Sequence, residues 1–110
     1  MAGEWRREPR FRARTMSAQV NGIACSIVDI SRTTVRLSRP AALVIDHGPL
    51  RLSLAYSLAG SGNFVEMDAR VVRLEPSFLV LKFIPPHARW QDDLLALEAA
   101  GTAGIDAPTV

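Results

Sequence analysis

A single cysteine, Cys25, stands in the whole sequence, so an internal disulfide and a cysteine-rich zinc site are both excluded. The two histidines, His47 and His87, lie near turn prolines, which leaves no paired-histidine metal motif and no base beside a nucleophile. There is no Gly-x-Ser-x-Gly elbow and no phosphate loop ending in Gly-Lys. The acidic residues occur singly or along one helix face, so none form a carboxylate pair for acid–base work. The expectation is a protein that is not an enzyme and carries no metal or other cofactor. No apolar run approaches the ~18 residues a membrane span needs, and no charged-then-apolar signal peptide opens the chain. The expected address is the cytoplasm, away from the membrane. Aromatic residues make up only 6% and sit mostly where a core is expected, which argues against a base-stacking platform for nucleic acid.

What is present fits one folded domain. At 110 residues, 48% hydrophobic and 22% charged, the chain can bury roughly two thirds of its unfolded surface. The net charge is only +2, but its distribution is uneven. Twelve of the thirteen basic residues are arginine, with Lys82 the exception, and Arg6, Arg7, Arg10, Arg12 and Arg14 crowd the first fourteen positions. GC-rich genomes favour arginine codons over lysine, which would explain part of the preference but not that clustering.

Residues 1–16 show no clean period and read as a flexible arginine-rich arm. From residue 17 the apolar period becomes two. Ile23, Cys25 and Ile27 alternate with small residues; Leu50, Leu52, Leu54 and Tyr56 alternate with Arg51, Ser53 and Ala55; Val65, Met67, Ala69 and Val71 alternate with Glu66, Asp68 and Arg70. Such runs are half-buried strands, and the phase of the first places Cys25 in the core as a small apolar filler. Val35–Leu37 predicts a shorter strand ended by Pro40, and residues 78–83 a last one. Asp46-His47-Gly48-Pro49, Gly60-Ser61-Gly62-Asn63 and Glu75-Pro76-Ser77 supply the breaks between strands. The pattern predicts an antiparallel meander closing into a small barrel. After Pro85-Pro86, Trp90, Leu94 and Leu97 fall at helical spacing while Asp92, Asp93 and Glu98 take the other face, predicting an amphipathic helix over 87–100 with Gly101 as its C-cap. The domain thus spans 17–100, and residues 101–110 read as a disordered tail.

Two short stretches carry chemistry. One is Arg6-Arg7-Glu8-Pro9-Arg10, an Arg-x-x-x-Arg spacing in the arm; the other is Asp29-Ile30-Ser31-Arg32-Thr33-Thr34, where one strand ends and the next begins. In this order, on an all-β pattern followed by a helix, they resemble the PilZ domain family, whose pattern is Arg-x-x-x-Arg followed by Asp/Asn-x-Ser-x-x-Gly. The resemblance covers about residues 5–97. It implies a six-stranded antiparallel β-barrel with a C-terminal helix, acting as a receptor for the bacterial second messenger cyclic diguanylate (cyclic di-GMP).

The residue types suit that ligand. Guanidinium groups grip phosphate oxygens in pairs and read the O6/N7 edge of guanine, while a carboxylate accepts from its N1 and N2 donors. The resemblance assigns Arg6 and Arg10 to guanine and phosphate, Arg7 to phosphate, and Asp29 with Ser31 to the other guanine edge. Thr34 stands where the family has glycine, a position that calls either for a positive φ or for clearance against bare backbone. A domain of this kind passes its signal on by contact, which implies an effector protein, with motility, pilus assembly or exopolysaccharide export as outputs. Two other readings compete: a PilZ-like interaction module that binds no nucleotide, and a small basic barrel that binds nucleic acid.

Overall fold

The computed structural model describes residues 11, 16–45 and 48–100. Strand β1 (Ser17–Val20) turns back into β2 (Ile23–Cys25) through Asn21 and Gly22. Both have positive φ, 49° and 83°, the twist a two-residue hairpin needs and that Asn-Gly tolerates best. After Ser26 alone, β3 (Ile27–Ile30) continues and pairs with β4 (Thr34–Ser38). Strand β5 (Leu50–Leu58) joins β6 (Ser61–Leu74) through Ala59 and Gly60, again both at positive φ. The expected loop at residues 60–63 is therefore a tighter turn one residue earlier, and Ser61–Asn63 already belong to β6. Strand β7 (Phe78–Phe83) follows a reversal in which the Glu75 amide donates to the Phe78 carbonyl at 2.9 Å.

The sheet order is β2-β1-β5-β6-β7-β4-β3, with every pairing antiparallel. The two edges, β2 and β3, are consecutive pieces of one run bent at Ser26. The Ser38 amide donates to the Ser26 carbonyl at 2.8 Å, so the bend itself helps to tie the edges together. The result is a nearly closed seven-strand antiparallel barrel. The sequence pattern outlines five strands and the resemblance implies six; the seven arise because the Ile23–Ile27 run splits at Ser26 into both edges and Ser17–Val20 forms a strand of its own.

The alternating residues meet inside. Val20, Leu52, Leu54, Leu79, Leu81 and Phe83 are fully buried, each worth roughly 1.5–3 kcal/mol relative to exposure. Helix α1 (Ala88–Ala100) presses Trp90, Leu94 and Leu97 onto this core. His87 starts the helix: its Nδ1 accepts the Trp90 amide at 3.1 Å and its carbonyl accepts the Gln91 amide at 3.0 Å. Trp90 meets Tyr56 edge-on, with ring centroids 5.3 Å apart. Asp93, expected to face water, is instead held half-buried by the Tyr56 hydroxyl.

The boundary of the arm also moves. Phe11 is buried at 2% exposure and bridges Ile30, with both backbone bonds at 2.8 Å, and Met16 is buried as well. The period-free stretch 1–16, which reads as a flexible arginine-rich arm, thus gives two apolar side chains to the core. Residues 1–10, 12–15, 46–47 and 101–110 lie outside the described residues, and with them the expected C-cap Gly101 and tail.

Candidate functional site

The Asp29–Thr34 stretch is the turn from β3 into β4, and its side chains shape it. Ser31 Oγ accepts the Thr34 amide at 3.1 Å and the Thr33 amide at 3.4 Å, and it lies 2.9 Å from Thr34 Oγ1. A hydroxyl bonding backbone amides two and three residues on is a local device for reversing a chain. Trp90 reaches the same turn from the helix, its Nε1 donating to the Ser31 carbonyl at 3.0 Å. Ser31 is fully buried, and Thr34 nearly so. Positive φ among the described non-glycine residues is confined to Asn21 and Ala59, so Thr34 sits in ordinary extended backbone. Of the two reasons for a glycine there, the left-handed backbone does not apply.

Asp29 owes its place to a bulge. Ile27 pairs with Leu37 and Asp29 with Arg36, so Val28 is one extra residue in β3. The insertion turns Asp29 away from the core phase of Ile27 and sets it opposite Arg36 on the outer side of the sheet. Arg36 Nη2 donates to Asp29 Oδ2 at 2.5 Å, a charge-assisted bond to a carboxylate that is itself buried. The Nε of Arg36 is buried with no hydrogen-bond partner.

A second bulge does the same in β6. Val71 pairs with Leu81 and Arg73 with Val80, leaving Val72 as the extra residue. Without it Arg73 would continue the inward phase of Val71. Since Val80 also pairs with Arg36, the two bulges complete one outward row across four strands: Asp29, Arg36, Val80, Arg73. The Phe78 ring lies beside this row, with the Arg36 guanidinium 5.5 Å and the Arg73 guanidinium 6.0 Å from its centroid. Arg73 is also paired with Glu75 at 2.6 Å. The next outward row is Thr34, Lys82, Arg70.

Of the six residues singled out in the sequence, Asp29, Ser31 and Thr34 are brought together in this turn. Arg6, Arg7 and Arg10 lie outside the described residues. Arg36, Phe78 and Trp90 were not anticipated; only Arg36, two positions beyond Thr34 in outward phase, left a signal near the motif. Cys25 is buried, and burial pushes its thiol above the ordinary range, as suits an apolar filler. Among the described residues no three His, Cys, Asp or Glu side chains gather to hold a metal, and no helix is long and apolar enough to cross a membrane.

The fold defines a small antiparallel barrel closed by a C-terminal helix. No protein-family model matches the chain, and no curated protein does. Among solved structures it is similar to that of an uncharacterized Legionella protein, Lpg0364, with a TM-score of 0.58 and 20% identity over 84% of this chain and 92% of that one. At that identity the likeness concerns the fold.

Proposed function

We propose that this chain is a bacterial receptor module, not an enzyme, that binds cyclic diguanylate at the β3–β4 turn and passes the signal by contact to an effector protein in the cytoplasm. The reading joins the PilZ-like motifs to one observation. The Phe11–Ile30 bridge fixes the residue that follows Arg10 in sequence beside the centre of Asp29-Ile30-Ser31. The position that follows the first motif is thereby held at the second, eighteen residues of chain later, as a site built from both would use. The outward row supports it further, because guanidinium groups and an aromatic ring suit phosphate and purine.

The test is isothermal titration of the full chain with cyclic diguanylate, beside an Arg6→Ala/Arg10→Ala variant. Saturable binding that the double variant loses supports the reading; binding that is equal in both overturns the assignment of the arginines. Absence of binding by the intact chain overturns the receptor function. A specific observation favours the interaction-module reading in that event. Ser31 and Thr34 bond each other and Asp29 bonds Arg36, so these motif side chains have structural work of their own.

A further inference from the structure

We infer that Arg70 and Lys82 form a phosphate-binding pair on the outer face of β6 and β7, extending the site beyond the Asp29–Thr34 turn. The inference rests on the nucleotide reading above and adds residues that neither motif contains.

Arg70 and Lys82 are direct cross-strand partners, and Lys82 is flanked on its other side by Thr34. Like charges facing each other across a ladder repel. Among the described residues neither cation has an ion-pair partner. The carboxylate two positions before Arg70 on its own face, Asp68, is taken by Arg51 at 3.2 Å. Two exposed cations about 5 Å apart at their Cβ atoms, with no ion-pair partner among the described residues, form a clamp whose repulsion an anion relieves.

Their surroundings select among anions. One row away, about 7 Å along the strands, the half-buried Val80 lies between Arg36 and Arg73, and the Phe78 ring lies against both guanidinium groups. The face therefore presents bare positive charge next to the motif and an aromatic, guanidinium-lined surface beyond it. A phosphate joined to a planar base matches that sequence of chemistries better than a free inorganic anion or a run of acidic side chains.

The test is titration of the full chain with cyclic diguanylate at low and high salt, using Arg70→Ala, Lys82→Ala and, as control, Arg51→Ala. Arg51 is an exposed cation on the same barrel whose charge is already neutralised. Loss of one charge-assisted phosphate contact predicts about tenfold weaker binding for Arg70→Ala and for Lys82→Ala. Each should also show a shallower salt dependence than the parent. Arg51→Ala should match the parent. Thermal unfolding of the two alanine variants should be no lower than the parent's, since a repulsive pair has been relieved. If the parent binds and all three variants bind alike, the pair is not part of the site. If the parent ignores cyclic diguanylate but binds a thymidine oligonucleotide, both the receptor reading and this subsite fall, and the face is a nucleic-acid surface. If it binds neither, both readings fall as well.

Discussion

Strand β6 runs through two regions that handle charge in opposite ways. Along its first part it pairs with β5, where Arg51 lies opposite Asp68 and bonds both Asp68 and Glu66. A few residues further on it pairs with β7, where Arg70 lies opposite Lys82. Both regions are solvent-facing, share the same barrel wall and are built on the same pairing geometry. In the first, each charge is answered within the fold, and the carboxylates hold the Arg51 guanidinium above its ordinary range. In the second, neither cation is answered by an ion pair among the described residues. Surface charge pairs contribute little to stability either way, so a like-charge pair costs the barrel little to keep. What separates the regions is what they can do for a ligand: a neutralised face has nothing left to offer an anion, whereas the β6–β7 face does.

The strongest way to break the comparison is to make the second region resemble the first. Lys82→Glu sets a carboxylate opposite Arg70 and beside Thr34. Cyclic diguanylate affinity should fall more than about a hundredfold, because a cation contact is replaced by a repulsive one. The melting temperature should hold or rise. A variant that melts no lower and binds as the parent does would show that the unanswered charge on β6–β7 serves no ligand.

Next in size is Asp29→Ala, which removes a buried carboxylate from the Asp29–Arg36 pair at the turn. Losing this partner leaves Arg36 with a buried nitrogen and no counter-charge, and stability should drop by about 2 kcal/mol in urea unfolding. Glu66→Ala, in the exposed β5–β6 network, should stay within about 0.5 kcal/mol. Similar losses in the two variants would mean that the buried and exposed carboxylates are energetically alike. Nucleotide affinity should fall only for Asp29→Ala.

How far these regions could be read in advance depends on whether a feature lives in one strand or between strands. The inward phases of β5, β6 and β7 and the Trp90, Leu94, Leu97 stripe are single-element properties, and the buried residues follow them. The bulges left a trace too: Ile27 and Ile30 are three apart, which strict alternation does not allow. The Asn21-Gly22 pair is likewise a local hairpin signal, though the alternation that continues from Ile23 to Ile27 hides the bend at Ser26. Phe11 was hidden for a different reason. One apolar residue among arginines has no period, and only pairing with Ile30 reveals it as core. The Arg70–Lys82 pair and the Trp90–Ser31 bond depend on register and on packing between distant segments, which no window of sequence contains.

Thr34→Gly tests the turn that lies beside Lys82. Thr34 occupies extended backbone, so glycine relieves no strain there; it removes the Oγ1 contact with Ser31 and frees the unfolded chain. Stability should fall by about 1–2 kcal/mol, with cyclic diguanylate affinity unchanged or weaker. Affinity several-fold stronger than the parent's would show that the threonine side chain blocks the ligand.

The smallest effect sharpens the comparison on the internally answered side. The Tyr56 hydroxyl donates to the Asp93 carboxylate, which also faces Arg89, and Arg89 donates to Asn63 at 2.9 Å. Burial, the bond to Asp93 and its negative charge push the Tyr56 phenol above the ordinary value of 10.0, with Arg89 opposing. In the unfolded chain the phenol ionises first. Above about pH 10 the unfolded state therefore holds fewer protons than the native state, and stability falls as pH rises. Below that pH the contribution is complete. Tyr56→Phe removes the bond and should lower stability by about 1 kcal/mol at neutral pH. The gap between variant and parent should narrow by about pH 11, because only the parent carries the extra alkaline loss. Urea midpoints of both proteins at the two pH values measure it, and a gap that does not narrow would show that the phenol ionises alike in both states. Cyclic diguanylate affinity at neutral pH should be the same for variant and parent, since this network answers its own charges and leaves none for a ligand.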